Sequence, residues 1–179
     1  MKSSLQKREF SLLVRECLPK VYGLAFRMVN DADVARDLLQ DSMIKAWKNY
    51  TNFDRNRSFA VWLSVIVLNT CKDYLKSPYR KLEKGDATEM ATRENQQEKM
   101  ERHEQHMLIV SLAAHLPLKQ KEVFILHDLQ GYPLAEVEKE MGLKKGVARS
   151  HLYYARKKLK EQLIHHEKQE RARAGKMHR

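Results

Sequence analysis

Residues 132–159 read YPLAEVEKEMGLKKGVARSHLYYARKKL, and their pattern decides the class of fold. Pro133 suits the first turn of a short helix, because its ring presets φ and the N–H it lacks is one that a helix start leaves unpaired anyway. Gly142 supplies a turn, and a longer helix follows from about Lys145. That is the layout of a helix-turn-helix. On the second helix Ala148, Leu152, Ala155, Leu159 and Leu163 recur every three or four residues and form an inward seam. A step of about 100° per residue then places Ser150, Tyr153, Tyr154 and Lys157 farthest from the seam, flanked by Arg149, Arg156, Lys158 and Lys160. Arginine and lysine neutralise phosphates or bind guanine edges, and serine and tyrosine reach backbone, base edges or thymine methyls, so this face suits a major groove.

Working outward, the whole chain of 179 residues suffices for one ordinary domain or two small ones. Its 34 basic and 23 acidic residues leave a net charge of +11, which favours a polyanionic partner. No apolar run approaches the roughly 20 residues needed to span a bilayer, and MKSSLQKREF leads into no signal-type segment, so a cytosolic protein is expected. The two cysteines, Cys17 and Cys71, each lie inside a helical apolar pattern, which predicts buried thiols rather than a disulfide or a zinc site.

Before the helix-turn-helix the same periodicity defines three more helices. Phe10, Leu13, Val14, Cys17, Leu18, Val21, Leu24, Ala25 and Met28 make a stripe of about five turns. Asn30 and Asp31 stop it and cap a second helix, whose inward stripe is Ala35, Leu38, Leu39, Ser42, Met43, Ala46 and Trp47. Asp33, Asp37, Asp41 and Lys45 project from its other side. After the polar stretch from Thr51 to Arg57, Ser58 caps a third helix running to about Lys76, with Phe59, Trp62, Leu63, Ile66 and Thr70 inward. Residues 81–106 then carry seven acidic and five basic residues and almost no large apolar group, which predicts a linker. Apolar periodicity resumes at Met107, and Pro117 opens a helix containing Val123, Phe124 and Leu126. No strand-like alternation occurs, so the prediction is an all-α protein: two small helical domains joined by a flexible linker, three helices before it and four after. The predicted boundaries are 5–80, 81–106, 107–164 and a basic tail 165–179.

The segment from Leu116 to Leu163 resembles the second conserved domain of extracytoplasmic-function sigma factors of the sigma-70 family. DADVARDLLQDSMIKAWKNYTNF (residues 31–53) and SFAVWLSVIVLNTCKDYL (58–75) resemble that family's polymerase-binding and promoter-melting helices, in the family's order. The resemblance implies a sigma factor that binds core RNA polymerase, through the beta-prime clamp coiled-coil and the beta flap, and directs initiation at promoter DNA. It implies polymerase contacts at Asp37, Gln40, Asp41 and Trp47, although Trp47 equally suits the core. It assigns minus-10 recognition to Phe53, Arg55, Asn56 and Arg57 in the loop and to Asn69, Lys72, Asp73 and Lys76 on the third helix. Positive charge beside aromatic and polar groups is what single-stranded DNA requires. Asn69 is equally accounted for by a hydrogen bond within the domain. Minus-35 recognition falls to Arg149, Ser150, Tyr153 and Tyr154, with Lys144, Lys145 and Lys157 on phosphates. An anti-sigma factor is a further implied partner. The linker, at roughly 3.3 Å per residue, reaches about 85 Å, similar to 25 base pairs at about 3.4 Å each.

Four positions depart from the family pattern. Glu138 stands where a small residue is usual and Ala148 where a larger aliphatic is, so the Glu138 stem is expected to fill that space while its carboxylate snorkels to solvent. Val147 replaces the usual threonine, and Tyr154 a frequent arginine. Against a sigma factor stand an ordinary helix-turn-helix regulator, which leaves the first domain unexplained, and a metal-dependent nuclease. The histidines His103, His106, His165 and His166 have no converging carboxylate or cysteine ligands, and no nucleophile or phosphate-cradling motif is present. No enzyme activity, cofactor or metal is therefore expected. Membrane insertion is disfavoured because the tail from His165 lacks an apolar face.

Overall fold

A computed structural model describes residues 4–77 and 108–177. The first domain is a bundle of α1 (Ser4–Val29), α2 (Ala32–Asn49) and α3 (Phe59–Lys76), packed pairwise. Asn30 adopts a left-handed φ of 55°, ending α1, and the Asp31 carboxylate then accepts from Asp33 N and Val34 N, both at 3.0 Å, starting α2. Ser58 caps α3 through Val61 N. These three devices set the angles at which the helices meet and so bring the predicted stripes together. Val21, Leu24, Ala35, Ala46, Leu63 and Val67 are all buried. The prediction for α1 needs two corrections: it runs for 26 residues rather than five turns, and Leu18 is 42% exposed, at the edge of its stripe.

The second domain comprises α4 (residues 108–113), α5 (Leu118–Phe124) extended by a wider turn over Ile125–Leu129, α6 (Leu134–Glu140) and α7 (Val147–Met177). Gly142, at φ +63°, ends α6: Leu143 N bonds Glu138 O at 2.9 Å, the closure that a left-handed residue after a helix permits. Val137, Ala148, Leu152 and Ala155 meet Val123, Leu126 and Tyr132 in the core. No separate tail follows: α7 continues through the predicted boundary at 164 to Met177. The predicted linker lies outside the described residues.

α3 is buried on two faces. One carries Phe59, Leu63 and Val67 toward α1 and α2; about 130° around the helix, by the roughly 100° step per residue, lie Val61, Ser64 and Leu68, also buried. This second face receives the second domain. Ser64 Oγ is 3.1 Å from Tyr132 Oη, whose hydroxyl also donates to Ala60 O at 3.4 Å. Nearby, Lys121 Nζ donates to Met28 O at 3.3 Å and Gln130 Nε2 to Lys20 O at 3.1 Å. Burial pushes the Tyr132 hydroxyl up from its ordinary pKa, partly offset by the Ser64 hydrogen bond. Both cysteines are buried free thiols, and burial pushes Cys71 up to about 12.

Replacing Asp31 by alanine removes the acceptor for two backbone N–H groups at the start of α2. The expected loss is about 1 kcal/mol, seen as a lower denaturant midpoint at unchanged slope.

Candidate nucleic-acid interface

The outward face of α7 is built as its periodicity requires. Ala148, Leu152 and Ala155 are buried against α5 and α6, which leaves Tyr153 63% and Tyr154 55% exposed. Their rings meet edge to face at 5.3 Å. Lys144, Lys145, Arg149, Ser150 and Lys157 are exposed around them. Arg156, on the flank, is held by a bidentate pair with Asp128, Nε to Oδ2 at 2.9 Å and Nη2 to Oδ1 at 2.6 Å; those bonds raise its pKa. The result is one exposed surface of cations, hydroxyls and aromatic rings on α7 and the turn that precedes it.

Glu138 departs from expectation. Its carboxylate does not snorkel past Ala148 to solvent but accepts from Ala148 N at 3.1 Å, at the start of α7.

In the first domain the loop between α2 and α3 is pinned by an aromatic cluster. Phe10 lies 5.0 Å from Tyr50 and 5.1 Å from Trp47; Phe53 packs on Trp62 at 4.8 Å and on Phe59 at 5.5 Å. Two predicted contacts are thereby corrected. Phe53 is only 9% exposed, because a flat apolar ring gains more from its three aromatic neighbours Tyr50, Phe59 and Trp62 than from water, so it shapes the loop rather than presenting itself to a base. Trp47 is half-buried in the same cluster and belongs to the core. Arg55 stays exposed, ion-paired with Glu9 and donating to Tyr50 Oη at 2.9 Å. Asn56 is exposed at the loop tip, where its backbone N–H bonds Asp54 Oδ1 at 2.9 Å.

On α3 the exposed strip between the two buried faces contains Asn69, Asp73 and Lys76. Lys72 is not part of it. One helical step places Lys72 on the face toward the second domain, where its Nζ lies 3.3 Å from Glu122 Oε1 and also donates to Asn69 Oδ1 at 2.7 Å. Glu122 is 1% exposed and is faced by Lys119 as well, at 3.1 Å. Its oxygens are close to both ammonium groups but not aligned for hydrogen bonds. A cleft of about 70 Å³ beside it, lined by Leu68, Lys119, Glu140 and Met141, has room for water. Arg57 is likewise drawn to the second domain: Nη2 donates to Lys139 O at 3.0 Å and Nε lies 2.7 Å from Glu140 Oε1. Burial raises the Glu140 pKa and Arg57 opposes that shift. Arg57 and Lys72, both predicted to touch DNA, are thus engaged by carboxylates of the other domain.

Asp37, Gln40 and Asp41 are exposed on α2. The same face carries Ile44, an exposed large apolar residue that the sequence reading passed over. Its signal was its spacing, three and four residues from Asp41 and Gln40 and outside the inward stripe. Among the described residues no group of three or more His, Cys, Asp or Glu could hold a metal; His103 and His106 lie outside them. No helix among them is long and apolar enough to cross a membrane.

These features define a two-domain helical DNA-binding protein. Residues 13–81 match sigma-70 region 2 and residues 106–159 match sigma-70 region 4. The chain is 28% identical to the RNA polymerase sigma-H factor of Pseudomonas aeruginosa, over 88% of this chain and 87% of that one. It is 30% identical to the ECF RNA polymerase sigma factor SigM of Mycobacterium tuberculosis, over 79% and 69% respectively. Its fold is similar to that of the sigma factor RpoE solved with the anti-sigma factor NepR from Bartonella quintana, with a TM-score of 0.70, 22% identity and coverage of 88% and 98%. CnrH, solved with the cytosolic domain of CnrY, gives 0.65, 23%, 88% and 89%. The chain belongs to the sigma-70 family, as a sigma factor of the extracytoplasmic-function type, and acts in transcription initiation.

Replacing Asp128 by alanine releases the Arg156 guanidinium beside the outward face of α7. Sequence-independent DNA affinity should rise, and the slope of log affinity against log salt should steepen by about 0.9, one extra phosphate contact; fluorescence anisotropy at several salt concentrations measures it.

Proposed function

We propose that α7 reads the minus-35 element through Arg149, Ser150, Tyr153 and Tyr154, with Lys144, Lys145 and Lys157 on phosphates. The observation that carries this reading is the outward face of α7, where two exposed tyrosines stand among cations on a helix whose opposite side is fixed in the core. The minus-10 element is taken by Arg55, Asn56 and Arg57 and by the α3 strip Asn69, Asp73 and Lys76, with Lys72 joining when the domains part. Core polymerase, through its beta-prime clamp coiled-coil, is met by α2. There Asp37, Gln40 and Asp41 surround Ile44, a polar rim about an apolar contact. The beta flap faces the second domain. The protein works in the cytoplasm and has no catalysis of its own; the polymerase supplies the chemistry.

The domain boundaries that serve this function are 5–80 for the polymerase-binding and melting unit and 107–164 for the minus-35 unit. In the closed arrangement Glu140 and Glu122 occupy Arg57 and Lys72, so minus-10 DNA and the second domain compete for the same two cations. Promoter binding therefore requires the domains to separate. An anti-sigma factor would act by holding the closed form; the similar fold of RpoE was solved with such a factor, NepR.

Run-off transcription with bacterial core polymerase on promoter fragments from the protein's own genome tests this reading. Transcripts that depend on the added protein and share a two-part element are expected. With Tyr153→Ala, discrimination at one minus-35 position should fall by about 1–3 kcal/mol, roughly 5- to 150-fold, at unchanged melting temperature. DNA binding without any protein-dependent transcript would favour the ordinary regulator instead.

A further inference from the structure

The start of α7 poses a capping problem that its own residues leave unsolved. The first helical hydrogen bond runs from Ser150 N to Gly146 O at 3.2 Å, so Gly146, at φ +86°, holds the capping position and has no side chain. Val147 follows with a purely apolar one. A helix leaves its first N–H groups unpaired, and an acceptor at this point normally comes from the cap residue itself. Here it comes from another helix: Glu138 of α6, ten residues earlier, gives Oε1 to Ala148 N at 3.1 Å. Ala148 is fully buried and Glu138 partly so, which places the carboxylate in the crossing between the two helices. The negative charge lies at the positive end of a 31-residue helix, where it is favoured.

We propose that Glu138 is a positioning residue for minus-35 recognition: its carboxylate, bonded to Ala148 N–H, ties α7 to α6 and sets the angle at which Arg149, Ser150 and Tyr153 enter the groove. The inference rests on the reading of α7 as the promoter-reading helix. It follows that the Ala148 N–H is committed within the protein and does not serve a DNA phosphate. It follows too that selectivity depends on an acceptor at position 138 rather than on the bulk of its stem.

The test uses the full chain with five versions of this site: wild type, Glu138→Ala, Glu138→Met, Glu138→Gln and the double variant Glu138→Ala with Val147→Thr. Methionine keeps the length of the stem without a good acceptor; glutamine keeps an acceptor oxygen; threonine restores one at the helix start. Two quantities are read: amide exchange at Ala148, and the ratio of binding to promoter DNA over the same DNA with a scrambled minus-35 element. The alanine and methionine variants should exchange at Ala148 at least about tenfold faster and lose selectivity by roughly tenfold. Glutamine should stay near wild type, whereas the double variant, whose threonine lies on α7 and cannot bridge to α6, should remain as unselective as the alanine variant. Unchanged exchange at Ala148 would overturn the proposal, as would full selectivity after the amide is released. Tighter binding of every DNA by the alanine variant would also overturn it, because the carboxylate would then act by repelling phosphates. Wild-type protein that ignores the minus-35 element overturns the promoter reading of α7 itself, and the exchange result at Ala148 tells that failure from the others.

Discussion

The two-sided burial of α3 is the constraint on which the other features depend. With Phe59, Leu63 and Val67 against its own bundle and Val61, Ser64 and Leu68 against the second domain, only a narrow strip of the helix stays in water. That strip carries Asn69, Asp73 and Lys76, the α3 residues that stay exposed while the domains are together. The same packing fixes Tyr132 over Ser64 and carries Glu122 and Glu140 to Lys72 and Arg57. A helix that serves as core for one domain and as docking surface for another couples the accessibility of Lys72, and of Arg57 just before it, to the position of its neighbour.

The character of the interdomain contact suits a reversible closure. Its named links are mostly single hydrogen bonds and ion pairs, with a cleft roomy enough for water beside Glu122. Burying Glu122 is costly unless its charge is met, and two lysines meet it without good alignment. These polar links lie beside the apolar contact of Val61 and Leu68, in a core cluster that runs through both domains. In the proposed open state DNA phosphates would replace these protein carboxylates around Arg57 and Lys72, keeping the cations paired. The intradomain aromatic cluster around Phe59 has no such alternative partners, and it holds the loop in shape in either state.

Much of this was legible in the sequence because local rules decided it. The caps at Asp31 and Ser58, the stop at Asn30, the glycine turn at Gly142 and the α7 seam are all set by neighbours within a few residues, and each is found where the pattern places it. The errors came where the deciding partner was distant. Lys72 reads as exposed until Glu122, fifty residues away, is brought to it. Val61 and Ser64 gave no inward signal because periodicity was sought for one buried face and α3 has two. Phe53 is a different case: its ring partners Tyr50, Phe59 and Trp62 lie within nine residues, but the polar loop around it masks them. Glu138 departed from the family pattern in plain view, but its bond to Ala148 depends on the crossing of α6 and α7, which no spacing specifies.

The central claim is that the two domains are closed on each other in the free protein and apart on a promoter. Spin labels on cysteines introduced at the exposed positions Lys48 and Lys160, with Cys17 and Cys71 buried in the fold, report this distance by pulsed electron resonance. The free protein should give one short, narrow distribution. In complex with core polymerase and promoter DNA the distribution should move outward by tens of Å, toward a separation on the order of the 85 Å set by 25 base pairs. The same distribution in both states would contradict the account.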